Sequence, residues 1–212
     1  MKNNLLILFI ALISFKSISQ NSNINKLKPM KIGFLYAFGS NERFFHDDPD
    51  YTYTAKIVKG QAFYNLGSWK SLDFELIVQP QVQFLEHQLI NSFYVTPDQE
   101  NFREKIAEFT KNKNMNLYAL EFSFSVNKNI LKKLDIQAAI SIGFSYVNTR
   151  SERLAKGFTF IENISLGVSY RLKESELYLG SNIGHVSNLD FQQPNHGYNI
   201  FGFEIGYRFY IK

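Results

Sequence analysis

The sequence predicts an all-β protein, an eight-stranded antiparallel transmembrane β-barrel with a short helix in an outer loop. Three observations carry this. The N-terminus has the charged, apolar and small-polar order of a secretory leader. The remainder holds eight segments in which bulky apolar residues alternate with small or polar ones. The links between those segments alternate short with long, as periplasmic turns and outer loops do.

The leader runs Met1-Lys2-Asn3-Asn4, then apolar from Leu5 to Phe15, then Lys16-Ser17-Ile18-Ser19-Gln20. Its apolar run is too short to cross a bilayer. Residues 1–20 are therefore expected to be cleaved, leaving 21–212 as a single barrel domain. Of the chain's 23 basic and 19 acidic side chains, cleavage removes Lys2 and Lys16 and no acid. The mature balance, about +2, offers no electrostatic footprint for nucleic acid. The absence of cysteine excludes disulfides, thiolate metal sites and an N-terminal lipid anchor.

Composition alone leaves a secreted soluble domain open, since the mean hydropathy is −0.20 although the chain carries 21 Phe and 12 Tyr. Periodicity decides. The first strand spans Met30 to Phe38, with Ile32, Phe34, Tyr36 and Phe38 on one face. A weaker, mixed strand falls between about Tyr53 and Asn65. The third, Leu72 to Phe84, aligns Leu72, Phe74, Leu76, Val78, Val82 and Phe84; the fourth is Tyr118 to Val126. The fifth, Leu134 to Tyr146, sets Ile136, Ile140, Ile142 and Phe144 against Gln137, Ser141, Gly143 and Ser145. The sixth, Phe158 to Leu172, repeats that split, and Leu177 to Ser187 and Asn199 to Ile211 complete an even count, as single-chain barrels have.

Short links are expected near Gly67-Ser68, Asn127 to Lys132 and Lys173-Glu174, and long ones around 40–51, 88–114, 148–157 and 188–198. Within 88–114, Thr96 reads as an N-cap with Pro97 at the first helical position, followed by Phe102, Ile106 and Phe109 on one face. A soluble lipocalin-like barrel is the competing architecture. Its second face would meet water, however, whereas here that face is rich in Gly, Ala and Ser, which suits the crowded interior of a narrow barrel. The greasy face is then expected to meet lipid, and Asp73, Glu75, Glu121, Glu204 and Arg208 to form interior ion pairs.

On the seventh strand His185 and Ser187 share the greasy face with Leu177, Leu179 and Ile183. Two residues apart, their Cα atoms lie about 7 Å from one another, close enough for a base and a nucleophile to meet. Polar groups in that position are costly unless they are used or sit at the headgroup level. If the tight turn at 173–174 pairs Arg171 with Glu176, the antiparallel register carries Glu162 opposite His185. His46-Asp47-Asp48 with Asp50 reads as a solvated loop rather than a metal site. No phosphate-binding glycine loop, zinc-protease helix or G-x-S-x-G elbow is present.

The stretch His185-Val186-Ser187-Asn188, followed by Pro194-Asn195-His196-Gly197 and Asn199, resembles the active-site segment of the PagL-type lipid A deacylases, or acyloxyacyl hydrolases. The resemblance is specific over about fifteen residues and architectural over the rest. It implies an outer-membrane esterase acting on lipid A of lipopolysaccharide, with His185 as general base, Ser187 as nucleophile and Asn188 contributing to the oxyanion hole. It implies no metal or cofactor, and a homodimer is compatible with it. The family's best-known members carry glutamate where this chain has Asn199, so Asn199 and Glu162 are both candidates to orient His185. If lipid A is the substrate, Arg150, Arg153 and Lys156 are the expected phosphate-binding cations. The alternative is a non-catalytic structural or adhesive barrel.

Overall fold

The computed structural model describes residues 28–41 and 48–212. The leader, the cleavage site, His46 and Asp47 lie outside the described residues. Eight strands follow in order: β1 (Lys31–Ser40), β2 (Tyr51–Trp69), β3 (Leu72–Leu89), β4 (Lys113–Leu131), β5 (Leu134–Val147), β6 (Gly157–Arg171), β7 (Ser175–Ser187) and β8 (Tyr198–Tyr210). Each pairs antiparallel with the next, and β8 returns to β1 with Lys31 opposite Tyr210, so the sheet closes and has no free edge.

The alternation read from the sequence separates wall from interior. Ile140, Ile142 and Phe144 of β5 are 60%, 57% and 57% exposed, whereas Gln137 and Ser145 of the same strand are 2% and 4% exposed. The apolar face therefore points outward, which rules out a lipocalin-like arrangement. Bulky residues cover the wall because hydrocarbon is their solvent, and the interior is polar because a narrow barrel can satisfy those groups only with each other.

The interior has two storeys. In the one nearer the short turns, Arg208 donates to Glu176 at 3.0 Å and Gln137 at 2.9 Å, with its guanidinium over the Tyr178 ring. Lys31 pairs with Glu75 and Glu176, and Lys59 with Glu121. Glu204 accepts from the Tyr178 hydroxyl at 3.2 Å. Asp73 departs from the expected interior set: it is exposed at the end of β3 and accepts from Ser68.

The storey nearer the long loops is aromatic and apolar. Tyr53 stacks on Tyr198 and Tyr51, and the Tyr51 hydroxyl bonds His87 Nδ1 at 2.9 Å. Loop 148–156 drops Leu154 into this layer, fully buried, and sets Ser151 Oγ 2.8 Å from the Tyr53 hydroxyl. Helix α1 (Phe102–Phe109) lays Phe109, Ile106 and Phe102 against the same cluster. The bore is thus filled by side chains from end to end.

Three local expectations change. The helix begins at Phe102, not Pro97: Val95 is pinned in the core at 2% exposure and the chain turns once, Gln99 N–H to Thr96 O, before Asn101 opens the helix at φ 56°. The β2–β3 turn falls at Lys70 and Ser71, both left-handed (φ 48° and 68°), while Gly67 marks a bulge where the register shifts. Likewise β4 continues through most of the expected link to Leu131. Beyond the hydrocarbon layer the ladder continues without needing an apolar face, so periodicity ends before the strand does.

Candidate active site

β7 is flanked by β6 and β8, and the register places Glu162, His185 and Asn199 in one row across the three strands, with Glu162 opposite His185 on one side and Asn199 on the other. Glu162 and Asn199 are exposed on the wall and His185 is half-buried. The imidazole Nδ1 lies 2.7 Å from Asn199 Oδ1. An amide oxygen accepts, so Nδ1 is the donor in this contact. The contact made is to Asn199; Glu162 is the neighbour in register, on the ring's other flank.

Ser187 stands two residues further along the same face, opposite Phe160. Gly197 neighbours both residues: its backbone is left-handed at φ 66°, and a methyl group there would lie 3.3 Å from His185 Cε1 and 3.4 Å from Ser187 Cβ and would collide with the Val186 carbonyl. One glycine therefore backs onto both side chains. Only a residue without Cβ fits that position.

The loop after Ser187 is folded tightly on itself. The Asn188 N–H donates to Asn195 Oδ1 at 2.6 Å, Asn188 Nδ2 to Gln192 O at 2.7 Å, and Asn195 Nδ2 to Asp190 Oδ1 at 3.1 Å. Leu189 and Asp190 are both left-handed, with φ 52° and 63°. Leu189 and Phe191 remain exposed at the loop tip, 56% and 71%, as apolar residues dipping into an interface would.

Below His185 the outer wall forms a groove of about 560 Å³. Phe122, Phe124, Ile140, Ile142, Ile164 and Ile183 make its apolar sides, and Glu162 and His185 also line it. Its size and apolar lining suit a hydrocarbon chain, and His185 stands at its edge.

The family model for lipid A 3-O-deacylase (PagL) matches residues 99–208, more than half of the sequence. The chain belongs to the PagL family. The matched stretch contains Glu162, His185, Ser187, Asn188, Gly197 and Asn199. Among solved structures, the chain is similar to the outer membrane enzyme PagL at 12% identity and TM-score 0.52, covering 84% of this chain and 99% of that one. It also matches Neisserial surface protein A (13% identity, TM-score 0.43, 85% and 97% covered) and the N-terminal barrel domain of Pseudomonas aeruginosa OprF (15%, 0.40, 85% and 98%). No curated protein matches.

In this PagL-family chain the three cations of loop 148–156 are not equivalent. Lys156 is exposed. Arg150 is largely exposed and pairs with Glu108 of α1 at 2.8 Å. Hydrogen bonds from Lys113 and Arg150 hold the Glu108 carboxyl below the usual carboxylate range. Arg153 turns inward and grips Asp48 with both guanidinium nitrogens, with Asp50 at 3.7 Å. Sequence reasoning gave no role to Gly197, Asn195 or the Arg153–Asp48 pair. The Asn-x-Gly spacing signals the first two; nothing local signals a pair about a hundred residues apart.

Proposed function

We propose that the protein is an outer-membrane esterase that removes the 3-O-linked acyl chain of lipid A by serine–histidine catalysis. The observation that carries this reading is the Asn199–His185 hydrogen bond on the lipid-facing wall, at an apolar groove and beside Ser187. In an outer membrane the long loops face outward and both chain ends face the periplasm, which sets His185 in the leaflet where lipid A resides.

In this mechanism Asn199 holds the His185 tautomer that leaves Nε2 free for Ser187. Nε2 takes the Ser187 hydroxyl proton as Oγ attacks the ester carbonyl. His185 then returns that proton to the departing sugar hydroxyl, leaving the acyl chain on Ser187 and extending along the Ile140–Ile183 groove. Water, deprotonated by His185, attacks the acyl-enzyme and releases the fatty acid. Both Asn188 donors are taken within the loop, so its contribution to the oxyanion hole is to hold the turn in which left-handed Leu189 and Asp190 follow the nucleophile and offer their backbone amides. Arg150 and Lys156 are the rim cations available to the lipid A phosphates.

Asn199 holds the ring but brings no charge to balance an imidazolium. Glu162, on the other flank, supplies that charge through space, so turnover is expected to be slower than with a carboxylate in direct contact. Mass spectrometry of lipid A from cells with and without the protein tests the proposal. Loss of one acyl chain, abolished by Ser187→Ala in a barrel that still shows heat-modifiable migration, is the expected result. An unchanged acylation pattern supports the non-catalytic barrel instead.

A further inference from the structure

We infer that Arg153 is a positioning residue that locks the loop behind His185 and Ser187, rather than a ligand of the substrate's phosphate; this rests on the esterase reading above. Gly197 backs onto His185 and Ser187. The amides of Gly197 and His196 both donate to the carbonyl of Arg153, at 3.2 and 2.8 Å. Next to them, Leu154 and Asn195 form a bridge and Ala155 N–H donates to Pro194 O at 3.0 Å, so loop 148–156 acts as a short strand added to loop 188–197.

That added strand is itself clamped by the Arg153 side chain. Its guanidinium makes a two-pronged contact with Asp48, lies 3.7 Å from Asp50, and sits over the Tyr94 ring at 4.8 Å and the Tyr51 ring at 5.6 Å. The side chain is only 13% exposed. Asp50 in turn accepts from Asn91 Nδ2 at 2.7 Å, and His196 meets Tyr94 edge to face. Four outer loops thus meet at Arg153, loop 188–197 through its carbonyl and the others through its guanidinium, whose planar fork matches a carboxylate as no lysine ammonium can. A lipid A phosphate would have to displace two aspartates to reach it.

Loosening this clamp lets Gly197 drift from the two reacting side chains, and misplacement of a catalytic pair costs turnover more than binding. The test uses the full barrel in detergent micelles with lipid A as substrate, comparing wild type, Arg153→Ala, Arg153→Lys and Asp48→Asn. The expected result is a kcat reduced about tenfold or more in Arg153→Ala, KM within about twofold, and the same pattern in Asp48→Asn. Amide exchange at His196 and Gly197 should speed up at least about tenfold while Glu162 on β6 is unaffected, with Arg153→Lys only partly restoring both readouts. A raised KM with unchanged kcat in Arg153→Ala, or unchanged exchange at the two amides, overturns the inference. If Arg153→Ala does not fold, the milder Asp48→Asn decides by the same criteria. Wild-type protein without deacylase activity would overturn the esterase reading alone, since the exchange measurement judges the clamp independently.

Discussion

Two polar clusters sit on opposite sides of the same wall, and they differ in how completely their groups are satisfied. Inside, Glu121 is 1% exposed and accepts from Lys59, Asn163, Gln81 and Ser141. Outside, His185 has one hydrogen bond, to Asn199. A carboxylate enclosed in a narrow barrel has to be saturated, and once saturated it is inert. A histidine on the lipid face held by a single hydrogen bond is costly for the fold unless it is used. The contrast separates structure from function more sharply than residue type does.

The largest effect expected on this comparison comes from the outer cluster. Ser187→Ala should lower deacylation by at least about a thousandfold, and His185→Asn by a similar factor because nucleophile and base act as a unit, while both barrels keep wild-type resistance to unfolding. Release of fatty acid from lipid A measures this. Full activity in Ser187→Ala would remove the proposed nucleophile.

The inner cluster should show the reverse. Glu121→Ala leaves Lys59 buried without its partner and is expected to cost about 3–5 kcal/mol of stability, read as a lower guanidinium midpoint, with kcat little changed in the fraction that stays folded. Conservation of both midpoint and activity would mean that the interior network relaxes more readily than its packing indicates.

Smaller effects distinguish the two flanks of His185. Asn199→Ala should reduce kcat roughly tenfold to a hundredfold through loss of the tautomer, and Asn199→Glu should raise it by restoring a counter-charge in contact with the ring. Glu162→Gln, acting only through space, should cost less than Asn199→Ala; the opposite ranking would make Glu162 the orienting residue.

The smallest concerns the rim. Glu108 has its carboxyl pKa depressed by Lys113 and Arg150, so its contribution is present above the ordinary carboxylate range and is lost as pH falls through the depressed value. These pairs are partly exposed, and Glu108→Gln should cost only about 0.5 kcal/mol, diminishing with salt. Helix α1 should remain docked, which amide exchange of Phe109 would show.

Much of this was legible in the sequence because a barrel wall imposes a period of two on every strand that crosses lipid. That period determined the strand count, the outward apolar face of β5 and β6, and the shared face of His185 and Ser187. The tight turn after β6 even determined the Glu162–His185 register, since a two-strand ladder is set once its turn is known. Strand ends and turns were less legible. Lys70-Ser71 lacks the Asn-Gly signature of its turn type, and β2 and β4 extend past the layer that enforces alternation.

What only the tertiary structure decided are contacts between segments with no sequence period linking them. Whether His185 bonds Asn199 or Glu162 depends on side-chain reach across three strands. Whether Arg153 faces a substrate or Asp48 depends on how four loops pack over a filled bore. Periodicity is a local consequence of which solvent each face meets, whereas the partner of a loop arginine is settled by closure of the whole barrel, which brings residues a hundred positions apart into one place.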